Sequence, residues 1–286
     1  PLPKTMLSEQ LRVEIRRNIA ASLAEDIGTG DLTARLIAPE TEARGRVITR
    51  EDAVICGTAW FDATFAALSP AAVVSWHVKD GDAVKAGEVL CDIIARARVL
   101  LTAERSALNF LQLLSGTATV TRRFVDAVAG TGATIVDTRK TLPGLRLAQK
   151  YAVAIGGGSN HRVGLYDGIL IKENHIIAAG GISEVVKQAR SIAPSNVFIE
   201  VEVESLTELK DALDAGVSMV LLDNMSLADM REAVAINAGR AQLEASGGVN
   251  LERVRAIAET GVDRISIGTL TKDVRALDLA LRHVEA

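Results

Sequence analysis

The sequence has few cysteines, few aromatic residues and no long apolar run. Its 286 residues include two cysteines, Cys56 and Cys91, which form no metal-binding or redox spacing and are interpreted as reduced core thiols of a cytoplasmic protein. Because no run of about 18 apolar residues occurs, no membrane span is expected. The first residues, PLPKTMLSEQLRVEIRR, are charged early and lack the apolar core of a secretion signal.

An excess of positive charge is also absent. The formal net charge is −4 and aromatic residues make up 3% of the chain, which argues against a nucleic-acid partner because such proteins usually need a basic face and stacking rings. Hydrophobic residues make up 48%, an ordinary share that excludes a disordered chain. The length accommodates one large domain or two.

One stretch departs from this acidic background. Between Arg139 and His175 there are two acids, Asp167 and Glu173, and six basic residues, which are Arg139, Lys140, Arg146, Lys150, Arg162 and Lys172. Six cations against two acids give +4, and a whole-chain charge of −4 leaves −8 for the remainder. Such a concentration indicates one focused anion site rather than a broad surface for a polyanion.

Two apolar runs end in this basic stretch. The run 134–136 continues into Asp137-Thr138-Arg139-Lys140 and the run 169–171 into Lys172, as is typical of buried strands that present their last side chain at a sheet edge. The glycines at 156–158 let the backbone lie against a ligand. Arg146 and Lys150 lie on a helical stretch between the two apolar runs and are predicted to be solvated. Ligand-binding roles are predicted for Arg139, Lys140, His161, Arg162 and Lys172.

The first part of the chain predicts a smaller mixed fold. Residues 8–27 show apolar spacing of four with Ser8 as N-cap, which predicts a helix. Residues 43–97 are typical of short strands with one helix near 60–68. The segment 77–90 resembles half of a lipoyl or biotinyl carrier domain, but Lys79 and Lys85 lie in turns and no hairpin lysine is present. A carrier or binding module therefore remains an alternative on fold alone, which a bound lipoate or biotin in mass spectrometry would support.

A long helix is predicted over 104–129, with a break at Gly116. Arg105 then falls in its first turn, where the helix dipole disfavours a cation. Ligand binding and an ion pair with Glu104 explain that placement equally well.

From residue 134 onward, strands and helices alternate, which predicts a parallel sheet covered by helices. We prefer a barrel of about six strands to an open doubly wound sheet, because so many strands end in a candidate ligand-binding residue. Ser205 and Asn250 are expected N-caps. Strands are predicted at 134–136, 169–172, 197–203, 219–223, 242–245 and 264–267. Helices are predicted at 145–155, 182–192, 206–215, 227–238 and 251–259.

The remaining strand ends carry acids and glycines. Glu200, Glu202 and Glu204 alternate and so share one face of their strand, while Asp223 ends the next strand. A row of acids is costly to bury unless a cation or sugar hydroxyls satisfy it. The last two strands end in backbone-rich loops that suit phosphate, each expected to lead into a helix N-terminus: Ser246-Gly247-Gly248 and Ile267-Gly268-Thr269. This predicts cations at one side, acids in the middle and phosphate loops at the other side.

Several long motifs in this chain resemble one family. These are EDIGTGDLT, ITREDAVICG, ERSALNFLQLLSG, TRKTLPGLR, GGGSNHRVGL, LIKENHI, EVEVESL, LLDN, and SGG followed by SIGT. They are similar to the motifs of quinolinate phosphoribosyltransferase, and the resemblance extends over nearly the whole chain. It implies transfer of phosphoribosyl from phosphoribosyl pyrophosphate to quinolinate with loss of CO₂, in NAD biosynthesis.

The resemblance also implies an architecture and a set of roles. The fold would be an α/β sandwich over 1–103 and an incomplete α/β barrel over 104–286, with the tail from 273 packing on the sandwich. Catalysis would fall to Lys140, Glu202 and Asp223, with Mg²⁺ held by the two acids directly or through ribose or pyrophosphate. The protein would be a homodimer with shared active sites. Substrate-binding residues would be Arg105, Thr138, Arg139, Lys140, His161, Arg162, Lys172, Glu202, Asp223, Ser246, Gly247, Gly248, Ile267, Gly268 and Thr269.

Two other enzymes remain alternatives. A related pyridine phosphoribosyltransferase would share the fold without the decarboxylation. A sugar-phosphate isomerase on a similar barrel would use the phosphate loops, but it leaves the five clustered cations unexplained.

Overall fold

The computed structural model describes residues 7–284. The first six residues, which belong to the stretch lacking a signal core, and the last two of the predicted tail lie outside this range. By its contacts the chain divides into two compact units. The first holds the described residues up to Arg122, Leu142–Gly157 and those from Thr271 onward, and the second holds Arg123–Thr141 and Gly158–Leu270.

The first unit contains a four-stranded antiparallel sheet. Its order is β12-β1-β5-β3, so the C-terminal strand pairs with β1, and β2 pairs separately with β4. The predicted helix 8–27 is confirmed, because Ser8 caps it by accepting the N–H of Leu11. The elements are α1 Glu9–Ile27, a 3₁₀ turn Ala34–Leu36, β1 Glu42–Thr49, β2 Ala53–Val54, α2 Thr58–Leu68, β3 Val73–Trp76, β4 Ala83–Val84, β5 Val89–Arg96, α3 Ala97–Ala127, α4 Arg146–Ile155 and β12 Leu279–Val284.

The contact division differs from the predicted boundary after residue 103. The reason lies in α4, whose Ala148 and Ala152 pack in one apolar cluster with Leu11, Ile15 and Trp60 of the first unit. A helix belongs to the unit whose core buries its apolar face. The order of elements along the chain does not show which core that is.

The long helix α3 corrects two predictions. It begins at Ala97 and passes through Gly116 without a break, so Arg105 is not in its first turn. Gly116 has a packing reason instead, since a Cβ there would lie 2.2 Å from the carbonyl oxygen of Arg275. Lys150 on α4 is buried rather than solvated as predicted.

The second unit contains a six-stranded parallel sheet with the order β6-β11-β10-β9-β8-β7. Within the described residues, β6 and β7 do not pair with each other, so the predicted barrel is confirmed as incomplete. Its elements are β6 Thr134–Val136, β7 Gly168–Ile171, α5 Glu173–Ala179, α6 Ile182–Ile192, β8 Phe198–Val203, α7 Leu206–Asp214, β9 Met219–Asp223, α8 Leu227–Asn237, β10 Gln242–Ser246, α9 Val254–Ala258, β11 Arg264–Ser266 and α10 Thr269–Lys272.

The two predicted N-caps of this unit have different outcomes. Ser205 accepts the N–H of Glu208 and so starts α7 as predicted. Asn250 instead accepts the N–H of Arg253 and forms a turn, and α9 begins only at Val254. The short helix α5 was not predicted, whereas α10 begins at Thr269, where the loop after β11 was expected to lead into a helix. Across residues 7–284, no helix combines the length and the apolar character that a membrane crossing requires.

Candidate active site

The strands of the second unit end at one common edge. Parallel pairing sets Asp223 at the end of β9 opposite Ser246 at the end of β10, and Ser266 of β11 opposite Val136 of β6. Because parallel strands share a direction, the residues that follow them meet at the same side of the sheet. The predicted residues Thr138 to Lys140, Glu202, Asp223, Ser246 to Gly248 and Ile267 to Thr269 therefore lie at this edge.

Asp137 anchors the basic stretch and was not predicted as a site residue. It is fully buried, and its two carboxylate oxygens accept the backbone N–H of His161 at 2.8 Å and the amide of Asn160 at 2.7 Å. A bridge between Val136 and Ser159 lies beside it. These contacts hold the loop that carries His161 and Arg162 against the end of β6.

Two guanidinium groups lie near each other at this edge. Burial and the nearby charge of Arg139 lower the pKa of Arg162. One nitrogen of Arg162 donates to the carbonyl of Gly168 at 3.0 Å, which fixes the direction of the side chain. The carboxylates of Glu200 and Asp167 act on Arg162 in the opposite direction. Arg139 and Arg162, both predicted to bind the dicarboxylate, are therefore close enough for their charges to interact.

His161, which was predicted to bind the ligand, is buried. Its Nε2 is 2.8 Å from Glu200 and 3.6 Å from Glu244, both fully enclosed, and Arg264 lies 3.0 Å from Glu244. Burial first, then the charge of Glu200, raises the pKa of Glu244 to about 7. The sequence signal was available, because Glu244 alternates with Ser246 on β10, but nothing in the sequence paired it with His161.

Lys140 and Thr138 approach the last strand. The side-chain oxygen of Thr138 accepts the N–H of Lys140 at 3.1 Å. A Cβ placed on Gly268 would lie 3.1 Å from Cδ of Lys140 and 3.7 Å from Oγ1 of Thr138. The absence of a side chain at Gly268 therefore lets Lys140 lie over the loop after β11.

Lys172 and Glu202 form an ion pair. Nζ of Lys172 lies 2.7 Å from Oε2 of Glu202, so these two predicted substrate-binding residues contact each other. The expected buried row of three acids is also corrected. Glu200 is buried and Glu202 is partly covered, while Glu204 is exposed beyond the end of β8.

The loop after β10 is built for close backbone approach. Gly247 has φ +99°, and a Cβ there would lie 2.0 Å from the side-chain oxygen of Asn224. Asn224, at φ +53°, donates its backbone N–H to the carbonyl of Ser246 at 2.9 Å, which ties this loop to the end of β9. No helix N-terminus adjoins the loop, contrary to the prediction, since α9 starts at Val254. Arg253, which was not predicted as a site residue, donates to the carbonyl of Gly248 at 3.3 Å.

The sheet order corrects the predicted arrangement of the three zones. The phosphate loops of β10 and β11 lie between the acids of β8 and β9 and the basic residues of β6, while Lys172 follows β7 at the far edge. Only the spatial strand order reveals this.

Arg105 is exposed on α3 in the first unit, and its role stays a prediction.

Comparison with protein families matches both parts of the chain. Residues 31–115 match the quinolinate phosphoribosyl transferase N-terminal domain, and residues 117–282 match the C-terminal domain of the same family. A curated relative from Bacillus subtilis, described as a probable carboxylating nicotinate-nucleotide pyrophosphorylase, is 41% identical over 94% of this chain and 93% of its own length.

Solved structures agree with these matches. The nicotinate-nucleotide pyrophosphorylase from Francisella tularensis is 44% identical, with a TM-score of 0.92 over 95% of this chain and 96% of that one. NadC from Streptococcus pyogenes is 36% identical, with a TM-score of 0.93 over 99% of this chain and 100% of that one. On its sequence, fold and strand-end residues, the chain belongs to the quinolinate phosphoribosyl transferase family.

Proposed function

We propose that this protein transfers the phosphoribosyl group of phosphoribosyl pyrophosphate to quinolinate and releases pyrophosphate and CO₂, giving nicotinate mononucleotide for NAD synthesis. The observation that carries the proposal is the proximity of Arg139 and Arg162 at the strand edge that also bears Asp223 and the Ser246 loop. One edge thus joins a site for two carboxylates to sites for ribose and phosphate. The names of the relatives support the same reaction.

The dicarboxylate is bound by cations of two kinds. Arg139 and Arg162 form planar pairs with carboxylates, and Lys140 and Lys172 add point charges. Two neighbouring ring carboxylates repel each other, so a pocket that neutralises both favours quinolinate over a mono-acid. His161 supports Arg162 from beneath, while Arg105 completes the pocket from a second copy of the chain.

The ribose and its phosphates lie over the loops after β8 to β11. Glu202 and Asp223 hold ribose hydroxyls, and Ser246 to Gly248 with Ile267 to Thr269 bind phosphate through backbone N–H groups. Both acids are hard oxygen donors on neighbouring strands, so they fit a Mg²⁺ ion held directly or through the substrate. Bound there, Mg²⁺ neutralises charge on the departing pyrophosphate.

The chemistry needs no protein nucleophile. The ring nitrogen of quinolinate forms a bond to C1 of the ribose as the bond to pyrophosphate breaks. The nitrogen then carries a positive charge, which stabilises the electron pair left on the neighbouring carbon when CO₂ departs. That pair then forms the bond to a proton from solvent. Positioning and electrostatic stabilisation account for the protein's part.

The proposed assembly is a homodimer with shared active sites, and the proposed location is the cytoplasm. Both cysteines are free and buried, which agrees with reduced thiols.

The test uses purified protein, Mg²⁺, phosphoribosyl pyrophosphate and quinolinate labelled in the 2-carboxylate, with nicotinate as a parallel substrate. We expect labelled CO₂ and nicotinate mononucleotide in equal amounts, and little product from nicotinate. Efficient use of nicotinate, or a ribosylated product that keeps both carboxylates, would overturn the proposal in favour of a transferase that does not decarboxylate.

A further inference from the structure

A closed cluster of charged side chains lies beneath the proposed dicarboxylate pocket. Glu244 on β10 faces Glu200 on β8, His161 in the loop after α4, and Arg264 with Ser266 on β11. Both glutamates are at most 1% exposed. Burying charges so completely is costly, so their retention calls for a role beyond packing.

The hydrogen bonds of His161 define its state. The backbone N–H of Arg162 donates to Nδ1 at 2.7 Å, so Nδ1 carries no proton. The neutral ring must then hold its proton on Nε2, which donates to Glu200 at 2.8 Å. Each ring nitrogen is therefore used once, and the ring connects the buried carboxylates to the backbone of Arg162.

We infer that Glu200 and Glu244 are positioning residues of the proposed reaction: they fix the ring of His161, and through it the backbone that presents Arg162 to the dicarboxylate. The inference rests on the proposed function for its substrate, but the geometry of the cluster is independent of it. Neither glutamate has a role among the residues predicted from the family resemblance.

The charge balance of the cluster indicates a proton on Glu244. With a neutral His161, ionising both glutamates would bring two negative charges together in a closed space, which is unfavourable. A proton on Glu244 avoids this, and burial with the neighbouring Glu200 raises the pKa of Glu244 to about 7. Both oxygens of Glu244 lack a geometrically good hydrogen bond, so a proton on one of them also supplies a donor.

A metal ion is the competing occupant. The ligand atoms of His161, Glu200 and Glu244 all lie within 4.8 Å of one another. The donation from Arg162 to Nδ1 leaves the proton on Nε2, and a nitrogen that bears a proton cannot bind a metal. Arg264 beside Glu244 further disfavours a second cation.

The test compares Glu244→Gln, Glu244→Leu and Glu200→Leu with Glu232→Gln, an exposed acid on α8 as the control. Glutamine reproduces the shape and neutrality of a protonated glutamate, while leucine removes both polar atoms of the side chain. The chain has four histidines, so ¹⁵N labelling resolves the tautomer of His161 without any substrate. This measurement succeeds or fails independently of the proposed reaction.

We expect His161 in the wild type to show a neutral ring protonated on Nε2, retained in Glu244→Gln and lost in both leucine variants. The leucine variants should raise the KM for quinolinate about tenfold with a much smaller change for phosphoribosyl pyrophosphate, and Glu244→Gln should stay within about threefold of the wild type. An equal rise in both KM values would indicate general disruption of the strand edge and overturn the inference. So would a Glu244→Gln variant as impaired as Glu244→Leu, or a stoichiometric metal in the wild type that Glu244→Leu no longer holds.

Discussion

Nζ of Lys172 lies 2.7 Å from Oε2 of Glu202, which joins a cation of the proposed pyridine pocket to an acid of the proposed ribose zone. The lysine side chain is half exposed, so this pair contributes only about 0–1 kcal/mol to stability. The pair therefore adds little to the stability of the fold.

Replacing Glu202 should separate function from stability. Glu202→Gln keeps the shape and removes the charge, so turnover should fall by about a hundredfold or more because charge developing at the ribose is no longer stabilised. The melting temperature should change by no more than about 2 °C. Asp52→Asn is the matched control, since it weakens the exposed Lys85–Asp52 pair of 2.8 Å in the first unit. Steady-state kinetics measure the turnover and thermal unfolding measures the melting temperature. Near-normal turnover of Glu202→Gln would show that Glu202 is not a catalytic residue.

Removing either paired guanidinium should weaken quinolinate binding. Loss of one partner from a desolvated charge pair costs roughly 2–5 kcal/mol, so Arg139→Ala and Arg162→Ala should each lower affinity about 30-fold or more. Arg240→Ala, which breaks an exposed pair with Asp214 and a hydrogen bond to the carbonyl of Ile236, is the control. Calorimetric titration with quinolinate measures the effect. Unchanged affinity in both variants would contradict the dicarboxylate pocket.

Adding a methyl group at Gly247 should damage the phosphate loop. The added Cβ would lie 2.0 Å from the side-chain oxygen of Asn224, and the alanine would have to keep a backbone φ of +99°. Gly247→Ala should therefore raise the KM for phosphoribosyl pyrophosphate at least tenfold. Gly239→Ala is a matched control, because its φ is +78° but nothing lies within 4 Å of the added methyl group. It should cost stability alone, roughly 1 kcal/mol. The double variant Gly247→Ala with Asn224→Ala should recover part of the lost affinity. Equal KM values for Gly247→Ala and Gly239→Ala would contradict the steric explanation.

Stability should depend on pH through Glu244. Its pKa is raised from 4.5 to about 7, so between these values the folded protein binds more protons here than the unfolded chain. Unfolding free energy should therefore fall as pH rises through this window and level off above it. Glu244→Gln removes this term and should be more stable relative to the wild type at pH 8 than at pH 5, by at most roughly 3 kcal/mol. Urea unfolding of both proteins at pH 5 and pH 8 measures this difference. A Glu244→Gln variant that is less stable relative to the wild type at pH 8 than at pH 5 would contradict the prediction.

Shared sites in a dimer should permit complementation. If Arg105 serves the partner's site, mixing Arg105→Ala chains with Lys172→Ala chains creates hybrids with one intact site. Random mixing should restore roughly a quarter of the wild-type activity. Native mass spectrometry verifies the heterodimer. An inactive heterodimer would mean that Arg105 acts within its own chain or has no part in the reaction.

Local pattern was enough for most elements of the second unit. Helix α6 and strand β9 have the predicted bounds, because apolar periodicity and strand-terminating charges are properties of neighbouring residues. Predictions failed where a partner distant in sequence decided the outcome. Gly116 does not break α3, because the chain near Arg275 packs against it, and Lys150 is buried although its helical position suggested solvent.

The sequence by itself determined the element types, the basic stretch and the residues that end each strand, since these depend on composition and on spacing along the chain. Only the tertiary structure decided which strand ends are neighbours. Spatial strand order put the phosphate loops between the acids and the basic residues of β6, paired Lys172 with Glu202, and enclosed Glu244 with His161, which is 83 residues earlier in the printed numbering. Charge pairing and burial act through space, so residues far apart in the chain set each other's protonation and position in ways that no local pattern contains.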